Sequence, residues 1–165
     1  MTVNEEHAIE AARRELLITR VFDDSVDNVF DAWTDPQQVE LWWGPRTFTS
    51  TMFVWEARPG GTIRLDMISP EGEVYPVYGY FHEVREPERM LFTSSAFQDE
   101  NGQSQLEVVN TVIFLNYRKK TRITLQVVVI RSTPEIARSL ETMKQSWRQS
   151  LDKLADLLNH QKASL

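Results

Sequence analysis

The period of apolar and polar positions changes along the chain, and each change marks an element. From Glu15 to Phe22 the run ELLITRVF is short and rich in aliphatic and β-branched residues, which predicts a strand. Val26, Val29, Phe30 and Trp33 then fall at i, i+3, i+4 and i+7, one face of a helix that Ser25 is placed to cap. Asp35 precedes Pro36, and Gln38 follows three residues after the Asp as in a capping box. A second short helix carrying Val39, Leu41 and Trp42 is therefore predicted, stopped by Gly44-Pro45.

The middle of the chain reads as strands. RTFTSTMFVWE, TIRLDMI, VYPVYGYFHEV, RMLFTSSAF, LEVVNTVIFLNY and TRITLQVVVIR are separated by short Pro-, Gly-, Asn- or charge-rich turns, the pattern of an antiparallel meander. Pro76 predicts a bulge or an edge position within its strand. After Ser132, whose spacing to Glu135 suits a capping box, or Thr133 as N-cap before Pro134, the helical period returns. Ile136, Leu140, Met143, Trp147, Leu151, Leu154 and Leu158 form one apolar stripe on a helix reaching about His160 and lying across the sheet. Leu140, Met143, Trp147, Leu151 and Leu154 are expected inside, and Arg138, Glu141, Lys144 and Arg148 in water. Residues 1–13 are polar, with Ala8, Ile9 and Ala12 as a weak stripe. The expected organisation is an extension over 1–13, a single domain over 14–160 and a tail over 161–165.

Composition narrows the classes of function. A chain of 165 residues favours one domain. With 18 Lys and Arg against 24 Asp and Glu, the formal charge of −6 argues against a nucleic-acid footprint. Cys is absent, which removes disulfides, thiolate metal sites and cysteine nucleophiles and suits a reducing compartment. No apolar run approaches a membrane span and the N-terminus does not read as a secretory signal, so the expectation is a cytoplasmic protein without a membrane partner.

Local words carry a resemblance across residues 15–160. ITRVFDDSVDNVFDAWTDPQQVELWWGP, EARPGGTIRLDM, YGYFHEVREPERMLFT and KQSWRQSLDKLADLL resemble the activator of heat-shock protein 90 ATPase homologue family of the START-like (SRPBCC) superfamily, with AWTDP, WWGP and RPGG the most specific. Ser146 departs from the Gly-Trp of many relatives. The resemblance implies an α+β helix-grip fold: a curved antiparallel sheet wrapped around a long C-terminal helix, two short helices after the first strand, and a cavity between sheet and helix.

The superfamily spans carriers, cyclases and co-chaperone domains, so the fold does not fix the chemistry. The aromatic supply favours a small apolar or aromatic ligand, with Trp33, Trp43, Phe53, Leu65, Tyr78, Tyr80, Phe92, Met143 and Trp147 expected to line its site. One slip of register would exchange Tyr78 and Tyr80 for Gly79 and Phe81. His7, His82 and His160 are scattered, so no metal site is expected. No glycine loop meets a helix to hold phosphate, and no serine sits in an activating elbow. The expectation is a protein without cofactor and more readily a binder than an enzyme, its weak candidate acids being Glu83, Asp66 and Glu107. Arg118, Lys119, Lys120 and Arg122 read as a solvated turn. Two alternatives stand: a co-chaperone domain docking on heat-shock protein 90, whose activating relatives carry a further N-terminal domain, and a polyketide cyclase or aromatase. The expected state is monomer or homodimer.

Overall fold

The structure, a computed structural model, describes residues 2–4, 14–134 and 140–163. The elements run β1 (Glu15–Phe22), α1 (Val26–Thr34), α2 (Pro36–Trp42), β2 (Thr49–Trp55), β3 (Thr62–Ile68), β4 (Val74–Arg85), β5 (Arg89–Gln98), β6 (Ser104–Tyr117), β7 (Lys120–Ser132) and α3 (Leu140–Ala163). The sheet order is β1-β7-β6-β5-β4-β3-β2, every neighbouring pair antiparallel. From β2 to β7 this is the predicted meander. β1 adds to its far side by pairing with β7, so α1 and α2 carry the chain from one edge of the sheet to the other.

Local chemistry explains that crossing. Ser25 Oγ accepts from the Asn28 amide at 3.2 Å and starts α1. Asp35 then serves two helices: its N–H closes α1 on the Asp31 carbonyl at 2.8 Å, and its carboxylate accepts from the Gln37 amide at 3.0 Å to cap α2. Because that N–H is taken, the capping box does not close, and the Gln38 amide donates to the Asp35 carboxylate at 3.1 Å instead. Val39 and Trp42 are buried, but Leu41 is 62% exposed. Two residues from Val39 it lies about 200° around the helix, on the wet side.

The inner face of the sheet follows strand parity. Ile63 and Leu65, Val77 and Phe81, Met90 and Phe92, Val112 and Phe114, and Ile123, Leu125 and Val127 are buried there with Leu16 and Ile18. Bulges between Met52 and Val54, Phe81 and Glu83, and Glu107 and Val108 break the regular register and bend the strands. Pro76 faces Asp66 of β3 at a point where β4 is not yet paired with β5, so it occupies the expected edge position.

α3 packs on α2 and β1, with Leu151, Leu154 and Leu158 buried and an Arg20–Asp152 ion pair joining helix to strand. It continues to Ala163, past the expected end. Met143 and Trp147 are half-buried, less than their stripe predicts, because this part of the helix stands over a cavity. Glu141 and Arg148 are exposed as expected, whereas Lys144 is half-buried. The expected helix start at Ile136, the Glu135 cap, the outward Arg138, the Leu140 side chain and most of the N-terminal extension lie outside what the structure describes.

Candidate functional site

Between α3 and the inner face of β3 to β6 lies a cavity of about 270 Å³. Met67, Tyr75, Val77, Ser94, Ala96, Leu106, Val108 and Asn110 form its sheet wall, and Thr142, Met143, Ser146, Trp147 and Ser150 its helix wall. Trp43, Gly44, Pro45 and Phe48, from the segment between α2 and β2, close one side. Phe97 and Thr142 are exposed and mark the solvent end, while Asn110, fully buried, marks the inner end. No Asp, Glu, His, Lys or Arg is among these lining residues.

The closing segment is stitched to its neighbours. Ser150 Oγ donates to the Gly44 carbonyl at 2.8 Å, Ser50 Oγ to the Trp43 carbonyl at 2.8 Å, and Gln149 accepts from the Arg46 amide at 3.1 Å. Lys153 Nζ reaches the Pro45 and Phe48 carbonyls at 3.2 and 3.4 Å. Burial, with a smaller contribution from nearby Arg46, lowers its pKa below the usual lysine value. Gly44, at φ +99°, makes the turn that a residue with a Cβ adopts only under strain.

All five tryptophans belong to one cluster beside the cavity. Trp43 sits edge-on to Trp55 at 5.5 Å and to Trp147 at 5.1 Å, Trp147 stacks on Trp33 at 6.1 Å, and Trp33 meets Trp42 at 4.6 Å. The indole N–H groups of Trp42 and Trp55 donate to the Ala32 and Trp33 carbonyls, both at 2.9 Å. Trp43 and Trp147 therefore present one side to the cavity and brace the other on a fixed aromatic core. At the solvent end the Phe48, Tyr75 and Phe97 rings form a chain with centroids 5.9 and 6.2 Å apart, and Phe97 holds a φ of +57°, unusual for a bulky side chain.

Of the nine residues expected at the site, the structure brings Trp43, Met143 and Trp147 to the cavity. Trp33, Leu65 and Phe92 are fully buried in the core and do not line it. Phe53, Tyr78 and Tyr80 are on the opposite face of the sheet, 55%, 43% and 49% exposed. For the two tyrosines the alternative parity holds, with Tyr75, Val77 and Phe81 inward. For Phe53 the cause is the bulge in β2: Met52 pairs with inward Leu65 and Trp55 with inward Ile63, leaving Phe53 as the extra residue, turned out. On that outer face the Arg64 guanidinium lies 4.6 Å from the Tyr78 ring and 5.0 Å from the Phe53 ring and pairs with Asp66 at 2.6 Å.

The weak candidate acids do not line the cavity. Asp66 is held by Arg64, Glu83 by Arg85 and Arg89 at 2.9 and 3.4 Å, and Glu107 faces Ser95 across the ladder with outward parity. His82 contacts Thr93 Oγ1 at 2.6 Å on the outer face. A second hollow, of about 310 Å³, lies between α1 and the β2–β3 and β4–β5 turns, but exposed Arg58, Pro59 and Glu86 in its wall make it a surface depression. Among the described residues no cluster of His, Asp or Glu is arranged to hold a metal ion, and no helix is long and apolar enough to cross a membrane.

Sequence reasoning passed over Asn110, Phe48, Tyr75 and Phe97. Asn110 carried a legible signal, since in Leu106-Glu107-Val108-Val109-Asn110-Thr111-Val112 it is the one polar residue on the apolar parity.

Comparison with known proteins agrees with this architecture. The family described as Activator of Hsp90 ATPase homolog 1-like protein matches residues 23–159. No curated protein matches the sequence. Among solved structures, the solution structure of an Arthrobacter aurescens protein superposes with a TM-score of 0.81 at 24% identity, covering 91% of this chain and 88% of that one. The crystal structure of a Nitrosomonas europaea protein gives 0.76 at 26% identity over 92% and 98% of the two chains. The AHSA1 protein of Silicibacter pomeroyi gives 0.76 at 23% over 89% and 99%.

Proposed function

We infer, for a chain that belongs to the Activator of Hsp90 ATPase homolog 1-like protein family, that it is a binding protein for a small, flat, largely apolar molecule held between sheet and α3. The observation that carries this is the cavity itself. Protein interiors are packed with few voids larger than water, so a hollow of about 270 Å³ with tryptophan walls forgoes packing that its neighbours achieve. An apolar cavity of roughly 150 Å³ takes one benzene ring, so this volume suits a molecule of about two fused rings. Binding is favoured over acid–base catalysis because, among the described residues, the lining offers hydroxyls and an amide but no carboxyl, imidazole or amine to move a proton.

The test is a titration of the purified protein with neutral two-ring aromatics such as 2-naphthol, read by tryptophan fluorescence and thermal melting. Saturable quenching is expected, reduced in Trp43→Phe and Trp147→Phe, together with a rise in Tm that grows with ligand concentration. Absence of both saturable quenching and a Tm shift overturns the proposal.

A further inference from the structure

The inner end of the cavity carries a polar feature that an apolar ligand alone leaves unexplained. Asn110 is 0% exposed, and its Nδ2 donates to the Phe92 carbonyl at 3.3 Å and to Ser94 Oγ at 3.0 Å. A backbone carbonyl only accepts, so the amide nitrogen must face Phe92, which fixes the side-chain orientation and leaves Oδ1 on the other side. That oxygen is buried and has no hydrogen-bond partner. Leaving such a group unpaired forfeits its hydration without replacement, and buried polar atoms are rarely left so.

Ser94 Oγ already accepts from Asn110, so its own proton is free to be given. Asn110, with its unpaired oxygen, and Ser94, with a proton to give, thus both stand in the wall of a largely apolar chamber. Among the described residues the lining bears no cation to neutralise an anion and no anion to neutralise a cation, and an unpaired charge buried there would be strongly disfavoured.

We propose that the ligand is an uncharged molecule with a hydroxyl at its leading end, of the phenol or alcohol class, whose O–H donates to Asn110 Oδ1 and whose oxygen accepts from Ser94. This rests on the cavity reading above and adds the polarity and direction of the ligand to it. Carboxylates and cations of the same shape are disfavoured because no described lining residue carries a neutralising charge.

Three two-ring probes separate the possibilities: 2-naphthol, 2-methylnaphthalene of nearly equal shape, and 2-naphthoate at neutral pH, each measured by equilibrium dialysis against wild type and Asn110→Leu. The expected result is that the ratio of dissociation constants, 2-methylnaphthalene over 2-naphthol, falls about tenfold in Asn110→Leu. 2-Naphthoate is expected to bind wild type at least about tenfold more weakly than 2-naphthol, an effect of unpaired burial. If Asn110→Leu does not fold, Ser94→Ala replaces it and is expected to weaken 2-naphthol several-fold while leaving 2-methylnaphthalene unchanged. An unchanged ratio, or 2-naphthoate binding as tightly as 2-naphthol, overturns the hydroxyl assignment while the cavity reading stands. Binding of none of the three overturns both.

Discussion

Residues of one chemical type divide here into groups with very different energetic weight. Phe92 is fully buried among Trp43, Trp55 and Phe81, whereas Tyr80 is 49% exposed on the outer face. Phe92→Ala is expected to cost about 3–5 kcal/mol through lost burial and a residual cavity, while Tyr80→Ala removes only a half-wet ring and should cost under about 1 kcal/mol. Urea denaturation of the two variants checks this, and equal losses would refute the assignment of faces. Leu151, also fully buried, should lose about 2–5 kcal/mol on change to Ala. Leu151 was legible because a helical stripe fixes its side, and Trp43 because it follows a short capped helix. Tyr78 and Tyr80 were not, because a strand repeats every two residues and aromatic residues stand on both parities. Asn110 was legible as an exception to its pattern; what the pattern does not contain is its environment, an amide oxygen deprived of water by residues distant in sequence.

At the scale of elements, boundaries set by caps and turns were readable and irregularities were not. Ser25 and Asp35 start their helices as their chemistry predicts, but competition for one N–H opens the expected capping box, and that depends on how closely α1 runs into α2. Bulges behave likewise: a sequence shows Phe53 on the same parity as Trp55, and only pairing with β3 reveals the inserted residue. The β6–β7 hairpin is the clearest case of an element held against local preference. Arg118 and Lys119, its two turn residues, have φ of +50° and +69°, a conformation that Asn-Gly adopts far more readily. Replacing the pair by Asn-Gly is expected to raise stability by about 1 kcal/mol, measured as a shift in the denaturation midpoint with an unchanged slope. No gain would mean that the basic pair makes compensating interactions in the folded state.

Across the whole molecule, curvature and incomplete packing are two sides of one arrangement. Gly79 lets β4 and β5 close together, for a Cβ there would lie 2.0 Å from the Thr93 carbonyl oxygen, and the neighbouring bulges bend the sheet around α3. The C-terminal part of the helix fills the concave face with Leu151, Leu154 and Leu158, while Met143 and Trp147 leave the other part hollow. If the hollow is kept for a ligand, filling it should exchange function for stability. Val108 is 6% exposed on the cavity wall, and Val108→Phe points a ring into the empty space. The variant is expected to melt higher than wild type without ligand, by the equivalent of about 1–2 kcal/mol, and to bind 2-naphthol at least about tenfold more weakly. Its melting temperature should also respond less to added 2-naphthol, since linkage stabilises only to the extent that binding occurs. A destabilised variant that still binds with wild-type affinity would refute this trade between packing and function, because the ring would have strained the core without entering the binding space.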